Sequence, residues 1–118
     1  MNFGTAIECL KQGYAVARKG WNGKNMFLYL TGGSIVDFQD LRGNAKRFVT
    51  KETTRADAAC INPHIDMVAA DGSVVVGWLA SQTDMLAEDW EVVYGNIAQA
   101  LTYTKPKGGL NHGTVQRH

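Results

Sequence analysis

Cysteine is scarce in this chain. Cys9 and Cys60 are the two present in 118 residues, too few for a disulfide scaffold, and a reducing cytoplasm is the simpler setting. Charge of one sign is scarce as well. Twelve Lys and Arg face eleven Asp and Glu, for a formal net charge of +1. That lacks the basic excess of a phosphate-backbone binder, so neither DNA nor RNA is the expected partner. No apolar run approaches the roughly 18 residues of a membrane span, so no membrane partner is expected. Glu8 and Lys11 interrupt the apolar pattern of the first dozen residues, and no signal peptide is legible. Catalytic signatures are missing too: Gly-x-Ser-x-Gly, His-Glu-x-x-His, a Gly-Lys-Ser/Thr phosphate loop, Gly-x-Gly-x-x-Gly and Cys-x-x-Cys are all absent. No catalytic residue, metal ligand set or cofactor is therefore expected.

What is present suits one soluble globular domain, with 45% hydrophobic and 19% charged residues. A chain of this length buries somewhat under about 70% of its unfolded surface, enough for a single core. Its charge is unevenly placed. No Lys or Arg occurs from Ala56 to Thr104, where Asp57, Asp66, Asp71, Asp84, Glu88, Asp89 and Glu91 lie. Basic residues collect in Arg42, Lys46, Arg47, Lys51 and Arg55, and in the tail at Lys105, Lys107 and Arg117. A solvated loop and tail account for this more simply than an anion site does.

Periodicity outlines the elements. Phe3, Ala6, Ile7 and Leu10 recur at helical spacing, with Asn2 placed to cap the start and Gly13 to close the end. Tyr14–Arg18 reads as a strand, Asn22-Gly23 as a hairpin turn, and Met26–Thr31 as the returning strand. The alternation puts Met26, Leu28 and Leu30 on one face, and Phe27, Tyr29 and Thr31 on the other. Ser34–Cys60 is polar and weakly periodic, a long excursion of the kind that often forms a lid, with room for one or two helical turns between Asp37 and Val49. Cys60 reads as a small core hydrophobe. Ile61–Ala69 alternates as one half-buried strand, Asp71-Gly72 signals a hairpin, and Ser73–Leu79 is a continuous apolar run suited to a central strand covered on both faces. Ser81-Gln82-Thr83-Asp84 has capping-box spacing, and Asp89–Tyr94 is a final strand. Ile97–Leu101 has helical potential, and Lys105–His118 has the composition of a flexible tail.

Three tryptophans carry most of the binding chemistry: Trp21, Trp78 and Trp90 all lie at or beside a turn or strand end. An indole at a turn offers a stacking face worth about 1–3 kcal/mol per nucleobase. The hydroxyls, amide and carboxylate of Ser81, Gln82, Thr83 and Asp84 suit ribose hydroxyls or a base edge. For Trp21 and for Ser81–Asp84, binding and plain packing or capping are equally compatible with the pattern; Trp90 reads as core. His64 and Asp66 share a strand face and suit a His–carboxylate pair, with a hydrogen-bonded structural histidine the simpler reading.

Gly20-Trp21-Asn22-Gly23-Lys24 with Met26-Phe27, then Pro63-His64-Ile65-Asp66-Met67, Ala70-Asp71-Gly72 and the run Val75 to Trp90 together resemble one family. It is the phage and prophage family of small proteins typified by the second Thoeris anti-defence protein. The resemblance covers about residues 1–31 and 61–94. It implies an α+β fold, an amino-terminal helix packed on an antiparallel sheet, assembled as a homo-oligomer, dimer or tetramer. With the long excursion and tail, that gives a single ligand-binding domain over residues 1–95 and a carboxy-terminal extension over 96–118. The implied function is a non-enzymatic sponge in the bacterial host cytoplasm. It would bind a small-molecule cyclic nucleotide signal, glycosyl-cyclic ADP-ribose, and withhold it uncleaved from the Thoeris effector; cyclic oligonucleotides are further candidates. Trp21, Asn22, Trp78, Ser81, Gln82, Thr83 and Asp84 become pocket candidates, with Phe27 beside them. Cations for the ligand's pyrophosphate would come from Lys24 or the basic loop. The rival readings are a nucleotide-signal hydrolase using His64 and Asp66, and a protein-interaction inhibitor of a host defence enzyme.

Overall fold

The computed structural model describes residues 1–21 and 25–95. The expected Asn22-Gly23 turn, Lys24, the Ile97–Leu101 helix and the tail lie outside the described residues.

Helix α1 spans Phe3–Lys11, and its ends are set as the sequence predicts. Asn2 Oδ1 accepts the Thr5 N–H at 2.8 Å, satisfying one of the donors a helix start leaves over. Gly13, at φ +95°, closes the other end by donating to Leu10 O at 3.0 Å, a conformation that glycine adopts without strain. Ala6 and Leu10 lie one turn apart on the buried face.

That face covers a five-stranded antiparallel sheet. Its strands are β1 (Ala15–Arg18), β2 (Phe27–Thr31), β5 (His64–Val68), β6 (Val74–Val75) and β7 (Trp90–Tyr94), in the spatial order β6-β5-β2-β1-β7. Strand β2 pairs with β5 from Phe27↔Val68 to Thr31↔His64, and β1 with β7 around a register shift between Ala15 and Val16. The core joins Ala6 and Leu10 to one residue from each of four strands: Val16, Leu28, Met67 and Trp90. Met26 and Leu30 pack against it, so the alternation read along β2 holds. The expected architecture, an amino-terminal helix on an antiparallel sheet, is the one found.

The excursion forms a compact unit of its own, Gly32–Pro63. It contains β3 (Ser34–Val36) paired antiparallel with β4 (Ala59–Ile61), a 3-10 turn at Phe38–Asp40, and two short helices, α2 (Gly43–Phe48) and α3 (Lys51–Thr54). Of the one or two helical turns anticipated between Asp37 and Val49, two are present, the 3-10 turn and α2; α3 lies beyond that range. Helix α3 starts at a reciprocal Thr50–Thr53 capping box.

Three expectations fail. Ile61–Ala69 is not one strand: Asn62-Pro63 separates β4 from β5, and the two belong to different sheets. Proline has no N–H for a ladder and disfavours continuation. Ser73–Leu79 is not a central strand. Only Val74–Val75 pair, at the sheet edge, and Val76 and Leu79 are 69% and 90% exposed. Gly77, at φ +80°, turns the chain out of the ladder there. Cys60 is exposed rather than core, because it lies in a two-stranded ribbon whose pattern is buried only at Ala59.

Candidate functional site

Residues from three places on the chain converge beside α4 (Gln82–Leu86). Ser81 opens that helix: its Oγ accepts the Asp84 N–H at 3.0 Å, while Asp84 Oδ2 accepts the Ser81 N–H at 3.3 Å. The capping box is therefore complete, with aspartate in the position usually held by Glu or Gln. Asp84 Oδ1 faces the other way. It accepts from Trp21 Nε1 at 3.2 Å and from Arg18 Nη1 at 2.9 Å. The Asp84 backbone carbonyl accepts from Trp90 Nε1 at 2.9 Å. One residue thus holds the N–H groups of two indoles.

The three indoles form a cluster. Ring centroids are 5.4 Å apart for Trp21–Trp90, 6.2 Å for Trp21–Trp78 and 6.3 Å for Trp78–Trp90, all edge-to-face, the arrangement that aromatic quadrupoles favour. Trp90 is 2% exposed, whereas Trp21 and Trp78 are only partly buried. Trp78 is anchored through its backbone N–H, which donates to Ile65 O at 2.7 Å. The turn tryptophan therefore has more packing than a hairpin tip suggests, because the core extends as far as Trp90.

Arg18 crosses from the end of β1 to two acids. Besides Asp84 it donates from Nε to Asp89 Oδ1 at 2.8 Å, and its side chain is 16% exposed. Asp89 Oδ2 accepts the Gly20 N–H at 2.8 Å. A Cβ on Gly20 would lie 2.7 Å from that oxygen, so a side chain there would push the Asp89 carboxylate aside. The bonds that Arg18 donates to Asp89 and then to Asp84 raise its pKa further. Burial pushes the Asp84 carboxyl up, but the bonds from Arg18, Trp21 and Ser81 outweigh it and hold it below the usual range. At Asp89 the Arg18 bond leads the lowering. One guanidinium thus faces two ionised carboxylates.

A second constellation lies at β2 and β5. Asp66 is 3% exposed and accepts three hydrogen bonds: from Thr31 Oγ1, from the Gly77 N–H at 2.9 Å and from His64 Nδ1 at 2.8 Å. Since an ionised carboxylate only accepts, His64 carries its hydrogen on Nδ1 in this pair. Burial raises the Asp66 pKa, but the bonds from Thr31, Gly77 and His64 outweigh it and leave it below the usual range. Tyr29, opposite Asp66 in the ladder, has its phenol pKa raised by burial and then by Asp66. The His–carboxylate geometry read from the sequence is present. The Thr31 hydroxyl points its hydrogen at Asp66 rather than at His64.

Of the candidates singled out in the sequence, Trp21, Trp78, Ser81 and Asp84 are brought together. Gln82 and Thr83 lie exposed in the first turn of α4. Phe27 is elsewhere: it alternates with core-facing Leu28 and packs on Tyr94 at 5.1 Å. Asn22 lies outside the described residues. Sequence reasoning missed Arg18 and Asp89. The cue was available, because Arg18 lies two residues from core-facing Val16 on the same strand face, and a cation directed there needs an acid. Among the described residues no group of His, Cys, Asp and Glu is arranged to hold a metal ion, and no helix is long and apolar enough to cross a membrane.

Residues 1–93 match the Thoeris anti-defense 2-like domain. The chain belongs to the Thoeris anti-defense 2-like family. It is also 37% identical over 93 residues to Thoeris anti-defense 2 of Bacillus phage SP01, covering 79% of this chain and 94% of that protein. Membership of the Thoeris anti-defense 2-like family supports an anti-defence role. The matched segment contains the whole indole cluster and all of the helix-on-sheet elements except Tyr94, the last residue of β7.

Proposed function

We propose that this protein is a sponge: it binds a cyclic ADP-ribose-type signal of the glycosyl-cyclic ADP-ribose class and sequesters it uncleaved, so that a Thoeris effector is not activated. The observation that carries this is the pair of partly exposed indoles, Trp21 and Trp78, joined through Asp84 to the Ser81 cap of a helix whose first turn exposes Gln82 and Thr83. Stacking on an indole holds a base of either ring size, and neighbouring hydroxyls and amides suit ribose. Sequestration needs slow release rather than chemistry, and affinity among related binders varies mostly through the off-rate. Cyclic oligonucleotides present the same base and ribose chemistry and are secondary candidates.

The test mixes the protein with glycosyl-cyclic ADP-ribose, removes free ligand, heat-denatures the complex and analyses what is released. Intact ligand in stoichiometric amount is the expected result. A cleaved product would instead favour the hydrolase reading, which the 2.8 Å His64–Asp66 pair keeps in play; His64→Ala would then abolish turnover, whereas it leaves sequestration largely intact under the sponge reading.

The sponge reading places the protein in the host cytoplasm, as a homo-oligomer. Val74, Val75, Val76 and Leu79, at and beyond the β6 edge, are 43–90% exposed, and such an uncovered apolar edge suits contact with a second copy. Leu79→Lys is expected to lower the assembled mass seen by light scattering.

A further inference from the structure

We infer that Arg18, Asp84 and Asp89 are positioning residues: resting on the sponge reading, they form a clamp that fixes the Trp21 indole for stacking and do not themselves meet the ligand. Trp21 sits at the approach to a turn, where little backbone pairing holds it. Its N–H to Arg18 O contact, at 3.3 Å, closes a single turn of chain. Its ring packs edge-to-face on Trp78 and Trp90, but the side-chain acceptors that hold Gly20 and the indole N–H are two carboxylates. Asp89 takes the Gly20 N–H and Arg18 Nε, and Asp84 takes Arg18 Nη1 and the indole N–H on a single oxygen. The planar guanidinium spans both acids, so it sets the distance between the residue that holds the Gly20 backbone and the residue that holds the Trp21 side chain.

The same geometry explains why Asp84 is ill suited to contact ribose. Its two oxygens already accept three hydrogen bonds, from Arg18, Trp21 and Ser81. Arg18 is likewise ill suited to a phosphate, because it faces two carboxylates and the cluster of three side chains carries one net negative charge. The clamp therefore favours an uncharged base on the indole and places the ligand's phosphates elsewhere.

Lysine keeps the charge of Arg18 but cannot span two acids with a planar fork. The decisive experiment is a double-mutant cycle with Trp21, read by calorimetric titration with glycosyl-cyclic ADP-ribose. Arg18→Lys is expected to weaken binding about tenfold in the native background, a coupling typical of residues in one network. In the Trp21→Phe background, where there is no indole N–H to orient, the same change is expected to matter less than about twofold. Without ligand, the Trp21 indole N–H resonance, assigned by its loss in Trp21→Phe, is expected to move in Arg18→Lys. Asp89→Asn serves as the second variant should Arg18→Lys not fold, with the same expectations. Equal losses in both backgrounds, or an unmoved indole resonance, would overturn the clamp and leave the sponge reading standing. Native protein that binds none of the ligand would remove that reading and this inference with it.

Discussion

At the scale of single residues, Asp66 shows how a polar side chain becomes part of the interior. Two residues in every four of β5 face away from the helix, and the alternation of Ile65 and Met67 with His64 and Asp66 was legible. Its near-complete burial was not, because the Gly77 N–H that seals it comes from a turn formed eleven residues later. Asp66→Asn leaves the side chain able to donate where three donors converge. A loss of about 2–3 kcal/mol is expected by chemical denaturation, the range for hydrogen bonds to a charged group and for buried groups left unmatched. The pH dependence has a definite sign. The folded pKa of Asp66 lies below the unfolded value of about 3.9. Its stabilisation is therefore fully present above about pH 4 and is lost as pH falls through the folded value. Thermal unfolding of the native protein between neutral pH and pH 3 should show that loss, and Asp66→Asn should flatten it. Asp84 and Asp89, also held low by Arg18, add to the same acid limb.

At the scale of elements, α4 does more than its length suggests. Five residues long, it would not persist alone, yet its third residue, Asp84, is bonded outward to Arg18, Trp21 and Trp90. Ser81→Ala removes the acceptor for the Asp84 N–H, and a loss of about 1 kcal/mol is expected from urea unfolding. Because Asp84 also holds the Trp21 and Trp90 indoles, the near-ultraviolet circular dichroism should change as well, which a simple cap loss elsewhere would not cause. The cap was readable from Ser81 and Asp84. The edge position of β6 was not: a run of Val74, Val75 and Val76 reads as doubly buried when apolar content is the only guide, and it was Gly77's turn that decided otherwise. The indole cluster was half legible. Trp21, Trp78 and the Ser81–Asp84 segment stood out by type, but their meeting depends on Arg18, whose partners lie 66 and 71 residues away.

At the scale of the whole molecule, the unit Gly32–Pro63 is inserted at a rung of the ladder. Thr31 and His64, the residues on either side of it, are direct partners in β2 and β5. Joining them through Asn-Gly would make a two-residue hairpin, the connection that matches strand twist best. The shortened chain is expected to keep a cooperative unfolding transition and the β signature of far-ultraviolet circular dichroism; loss of both would show that the sheet depends on the insertion. The helix-on-sheet half was legible because its periodicities are clean, while the insertion is built from caps and short turns that leave little period to read. One consequence of the indole cluster remains. All three tryptophans of the chain lie within 6.3 Å of one another, so ultraviolet excitation absorbed by any of them can migrate among the three before a photon leaves. The intrinsic fluorescence is thus depolarised at its source and originates from one spot, and a molecule settling on any one ring would dim the glow of all.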